Sequence, residues 1–82
     1  MPYIPKEIRE NLAEGRAPWF SGELNYLITG LIMRYMAANG GVSYANINAV
    51  VGALDCAKME FYRRVAVPYE NTKLSLNGDV YD

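Results

Sequence analysis

The sequence predicts an all-α protein: a short N-terminal helix, an antiparallel pair of long helices that oligomerise through their faces, and a short extended or hairpin tail. Three observations predict it. Between Leu24 and Leu54 the only side chain ionised at neutral pH is Arg34, and apolar residues recur there at helical spacing. Gly40-Gly41 divides that stretch into two runs, with Ser21 and Ser43 placed as helix starts. The whole chain has 82 residues, too few to hide so much apolar surface alone.

The elements follow in order. Pro5 to Glu14 reads as a short polar helix in which Ile8 and Leu12, four apart, dock one face; Gly15 ends it. Arg16-Ala17-Pro18-Trp19-Phe20 is a loop with two large aromatics. Ser21 reads as an N-cap, with Glu23 in the first turn where the helix dipole favours an acid. The first long helix is expected from Gly22 to Asn39, with Gly40-Gly41 as a left-handed stop. Ser43 caps the second, from Tyr44 to Val67, which Pro68 breaks or kinks. Leu74 to Tyr81 holds Asn77-Gly78 between alternating residues, a hairpin signal; an extended tail lying on a neighbour is the other reading. The expected organisation is one domain: an arm with a short helix over 1–20, a helical hairpin over 21–67 and a tail over 68–82.

Both long helices are apolar on two sides. On the first, Leu24, Leu27, Ile28, Leu31, Tyr35 and Ala38 form one stripe, and Tyr26, Gly30, Met33 and Ala37 another. On the second, Tyr44, Ile47, Val50, Val51, Leu54, Phe61 and Val65 form the main stripe, backed by Ala49, Gly52, Ala53 and Cys56. One side meets the partner helix within the chain. The other needs a further copy, for which Gly52 and Ala53 mark a close approach; a mid-helix glycine costs roughly 1 kcal/mol without such a reason. The chain is therefore expected to partner itself.

Composition excludes several classes. Cys56 is the single cysteine, so no intrachain disulfide forms; its small-residue surroundings suggest a buried, inert thiol in a reducing compartment. With no histidine, a zinc site is not expected, and neither metal nor cofactor is implied. A net charge of −1 argues against a DNA or RNA partner. No signal peptide is visible at the start, and the apolar run Leu24–Ala38 is too short and too polar to span a bilayer, so a cytoplasmic protein is expected. The sequence holds no nucleophile elbow, glycine-rich phosphate loop or paired catalytic carboxylates, which reads as a binding protein and not an enzyme.

The candidate site lies late in the second helix. Lys58 falls inside the main apolar stripe, between Leu54 and Phe61, where an ammonium must snorkel, pair or face a ligand. Asp55 and Tyr62 flank it at three and four residues. One reading is a local Asp55–Lys58 pair; the other is a cation lining a cleft between subunits. Arg63 and Arg64 follow, with Glu60 placed for a surface ion-pair cluster, or else free for phosphate recognition. On an ideal wheel Lys58, Arg63 and Arg64 stand at about 20°, 160° and 260°, so one pocket would use all three only across two subunits. Arg34, Tyr26 and Tyr69 complete the candidate ligand-binding set, tyrosines offering a face for stacking and a hydroxyl. Asn25, Asn46 and Asn48, in first turns, read as structural partners of free backbone groups.

Met1-Pro2-Tyr3-Ile4, Gly22-Glu23-Leu24-Asn25-Tyr26-x-Ile28-Thr29, Arg34-Tyr35, Ser43-Tyr44-Ala45-Asn46-x-Asn48, Ala57-Lys58-x-Glu60-Phe61-Tyr62-Arg63-Arg64-Val65-x-x-Pro68-Tyr69-Glu70 and Asn77-Gly78-Asp79-Val80-Tyr81 together resemble a family of short uncharacterised proteins of bacteria and bacteriophages. The resemblance covers nearly the whole chain. It implies a phage or prophage setting, and hence the host cytoplasm, but no mechanism. By size and texture the chain is similar to small phage proteins that sequester host immune signalling nucleotides, an analogy and not a shared motif. Two function classes result: a nucleotide-sequestering homo-oligomer, or an adaptor that docks or inhibits a host or phage protein.

Overall fold

The protein is described here from a computed structural model covering residues 3–81. Met1, Pro2 and Asp82, the ends of the expected arm and tail, lie outside the described residues. The described chain is all-helical, without strands: α1 (Lys6–Ala13), α2 (Ser21–Ala38), α3 (Tyr44–Phe61), a π-helical turn (Tyr62–Ala66) and α4 (Val67–Asn77). It divides into two compact units, one ending at Asn46 and one beginning at Ile47.

In the first unit, α1 starts at Pro5, whose fixed φ suits a helix entrance, and Gly15 closes it at φ 104°. Leu12 is buried and Ile8 half-buried, as their spacing suggested. The start of α2 differs from expectation. Ser21 is already helical, and the cap position is Phe20, whose carbonyl accepts from the Leu24 N–H at 3.0 Å. No side chain caps α2; Glu23 Oε1 instead accepts from the Trp19 N–H at 2.8 Å, reaching back to the residue before the cap position. Arg16 stands 3.2 Å from the same oxygen and lies over the Trp19 ring at 3.8 Å from its centroid. The buried Arg16 Nη2 makes this contact as an ion pair without an aligned hydrogen bond. Glu23 is itself buried.

The Trp19 N–H holds the Glu23 carboxyl below the usual glutamate range; burial opposes this, and Arg16 and the Phe20 N–H add to the lowering. Because the folded value is the lower one, Glu23 contributes stability that is present in full above the usual glutamate range. That stability is lost as the pH falls through the lowered value. Acid titration followed by the fluorescence of the single tryptophan tests this. Glu23→Gln should be less stable than the parent at pH 7 and should lose less on acidification; equal pH dependence in the two proteins would remove Glu23 from the account.

The stop and restart around Gly40-Gly41 follow the sequence. Both glycines have φ 91°, and the Gly41 N–H returns to the Met36 carbonyl at 2.8 Å. Ser43 Oγ accepts from the Asn46 N–H at 3.1 Å, capping α3. Asn46 Nδ2 donates to the carbonyls of Asn39 and Gly41 at 2.9 and 2.8 Å, so this asparagine is the structural partner expected of it. Asn25 accepts from Thr29 Oγ1 at 3.4 Å.

The second unit corrects three expectations. Pro68 does not break the helix. The turn before it widens: Val67 donates to the Tyr62 carbonyl, five residues back, and Pro68 enters within the first residues of α4, where its missing N–H is harmless. The tail is not a hairpin or an extended strand as far as Asn77; α4 runs through it, and Asn77-Gly78 ends a helix, with Gly78 at φ 85° donating to the Leu74 carbonyl at 2.9 Å. Cys56 is exposed, not buried. Indeed no residue of α3, the π-turn or α4 is buried within the chain. A Cβ at Gly52 meets no atom of the second unit within 4 Å.

Candidate functional site

Lys58 sits in the last turn of α3, Tyr62, Arg63 and Arg64 form the π-turn, and Tyr69 begins α4. Lys58, Met59, Tyr62, Arg63 and Val67 line an open depression of about 440 Å³. Three predicted residues thus come together on one helix. Lys58 and Arg63, about 140° apart on an ideal wheel, both line the hollow, with Tyr62 and Met59 at angles between them.

The remaining candidates stand elsewhere. Arg64 does not line the depression. Its guanidinium and that of Arg63 both engage Glu60, the ion-pair arrangement that the spacing allowed. Tyr69 lies under Lys73 Nζ, 5.6 Å from its centroid. Arg34 and Tyr26 belong to α2, in the other unit; Arg34 is exposed and Tyr26 half-buried. Among the described residues no carboxylate is within ion-pair distance of Lys58, so of the two readings the local Asp55–Lys58 pair does not form. Among the described residues, Lys58 is the cation of the hollow that no acid engages.

The lining of the depression is almost wholly apolar: Met59, Val67, Tyr62 and the stems of Lys58 and Arg63 form it, and the charged ends of the two cations contribute little of it. Tyr62 turns its hydroxyl to Glu70, to which it donates at 3.3 Å, and leaves its ring on the hollow. Charge beside a stacking face suits an anion carrying a ring. Sequence reasoning missed Met59, Val67 and Glu70. Met59 and Val67 were readable as neighbours of Tyr62 and Arg63 at four- and five-residue spacing; Glu70 depended on α4 continuing past Pro68.

A small helical protein with a cationic, aromatic-lined hollow is the class that this geometry defines. The chain belongs to the family described as Domain of unknown function (DUF6899), whose sequence model matches residues 1–80. No curated protein matched the chain. No solved structure matched it either. Among the described residues no helix is long and apolar enough to cross a membrane.

Proposed function

We propose that this protein is a non-catalytic, homo-oligomeric binding protein that sequesters an anionic nucleotide, in a phage-type setting within the host cytoplasm. In this reading the long helices form the antiparallel pair expected from their short Gly40-Gly41-Val42 connection, and copies associate through helix faces. The observation that supports it is the depression itself: Lys58 without an acid partner, Arg63 beside it, and the Tyr62 ring and two apolar side chains between. Its size lies within the range of small-molecule sites. Phosphate oxygens meet the cations and the base or sugar lies on Tyr62.

Thermal-shift measurements across a nucleotide panel that includes cyclic dinucleotides and ADP-ribose isomers test the reading. A ligand specific for the folded protein stabilises it by about 2.7 kcal/mol at a hundredfold excess over its Kd, which is read as a higher melting temperature. If no phosphate-bearing compound moves the melting curve, the sequestering reading is lost. The adaptor reading then takes its place, favoured by Trp19 and Phe20, which expose about 70% of their surface in a loop that Glu23 and Arg16 hold in place. Exposed, preorganised aromatics of this kind are the usual anchors of protein interfaces.

A further inference from the structure

The exposed stripe of α3 has a stricter order than a general apolar face. Tyr44, Ile47, Val51, Leu54, Lys58 and Phe61 follow one another at alternating intervals of three and four residues, the repeat of a coiled-coil seam. Continued in α-helical register, the next members would be Val65, Pro68, Thr72 and Ser75, and the seam would turn polar. The π-turn prevents this. It takes up one extra residue per turn, so the line from Phe61 passes to Ala66, Tyr69, Lys73 and Leu76. The large apolar members expose between 40 and 87% of their surface, Ile47 least and Tyr44 most. At about 200 Å² for an aromatic side chain and somewhat less for an aliphatic one, the seam leaves on the order of 800 Å² uncovered. That is what each partner contributes to a standard interface.

We propose that a second copy of the chain packs along this seam, parallel and in register, and that each subunit's Lys58 thereby stands beside the partner subunit's Lys58. The occupant is argued from length and from polarity. α2 has 18 residues, whereas α3, the π-turn and α4 follow without a break through 18, 5 and 11, so no other helix of the chain is long enough to match the seam. A second copy matches it by construction. Parallel pairing sets Lys58 and Lys73 against their own counterparts and leaves the layers of Ile47, Leu54 and Phe61 wholly apolar. Antiparallel pairing would set each ammonium against a large apolar side chain, with no polar neighbour to share its water. Val51 followed by Leu54 is also the β-branched and leucine pattern of parallel two-stranded coils, and a lysine in such a seam fixes register at a cost in stability. The partner copy then contributes to the site: a second ammonium reaches the rim of the depression that Lys58 lines, and an anion shared by the two relieves their repulsion.

This pairing takes from the proposed function only that the chain assembles; it seats the second copy on the main stripe of α3 in place of the small-residue face of Ala49, Gly52 and Ala53, and it needs no ligand, so the test uses none. In a Cys56→Ser background, Ile47→Cys and Leu54→Cys are oxidised separately and resolved on non-reducing gels, with Ala49→Cys on the opposite face as the comparison. A parallel in-register pair brings both seam positions onto their own copies, so both variants should convert largely to covalent dimers while Ala49→Cys stays monomeric. An antiparallel pair has a single two-fold centre along the seam, so at most one of the two positions meets itself. Dimers from only one seam variant, from neither, or equally from Ala49→Cys overturn the proposal. Sedimentation of the parent guards against misfolded variants, since a monomer at micromolar concentration overturns it as well. Failure of the nucleotide panel with both cross-links intact would instead reject the ligand and keep the interface.

Discussion

Lys58→Met abolishes the nucleotide-dependent rise in melting temperature and leaves the helical circular dichroism unchanged. Methionine keeps the length of the stem and loses the charge, so packing survives and anion attraction does not. Arg63 does not compensate, because Glu60 already engages its guanidinium together with that of Arg64. The stabilisation of about 2.7 kcal/mol expected of the parent at a hundredfold ligand excess therefore falls to near zero. Without ligand the variant should associate more tightly than the parent, since a neutral side chain replaces a like-charged layer. Differential scanning fluorimetry with and without the ligand, beside sedimentation, reads both effects. If Lys58→Met unfolds the chain, the lysine is a structural residue and the hollow is not a site.

Leu12→Ala costs the first unit about 2–3 kcal/mol, in the range for a buried leucine truncated to alanine. Leu12, at 4% exposure, is the buried hydrophobic residue of the described chain, so its side chain bears a large share of the few kcal/mol that a core of this size supplies. Urea denaturation followed at Trp19 measures the loss where it falls, because that ring sits in the same unit, stacked by Arg16. Ile8→Ala, at a half-buried position on the same helix, should cost less. A midpoint for Leu12→Ala within error of the parent would show that α1 is not anchored through this residue.

Where the chain uses residues with one dominant local role, its structure was legible. Gly15, Gly40 and Gly41 adopt the positive φ that their positions demanded, and Ser43 caps the helix it precedes. Ambiguous signals failed. Asn77-Gly78 serves a hairpin and a helix end equally well, and the choice lies in whether the preceding residues are already helical. Pro68 signals a break only if the turn before it stays α-helical; a π-turn removes the clash and has no propensity signature of its own. Ser21 looked like the cap because the rule concerns short polar side chains, whereas the helix begins one residue earlier and Glu23 ties back to the Trp19 N–H ahead of it. In the site, the four-residue spacing of Lys58 and Tyr62 was enough to unite them, whereas wheel angles follow Cα directions and do not register the reach of a side chain as long as that of Arg63. The Arg16–Trp19–Glu23 cluster escaped notice because three loop and cap residues, none unusual alone, acquire meaning only from their contact.

The π-turn also has a mechanical consequence. Val67 gives its N–H to Tyr62 and Pro68 has none to give, so the carbonyls of Arg63 and Arg64 lose the donors that an α-helix would supply. Bending at this point breaks fewer hydrogen bonds than bending anywhere else between Tyr44 and Asn77. The long helix is therefore two levers on a joint, and the joint carries the arginines. The Tyr62–Glu70 hydrogen bond spans it like a stay. A bend at this joint would move Tyr69 and Lys73, beyond it, relative to Lys58 and Met59, before it.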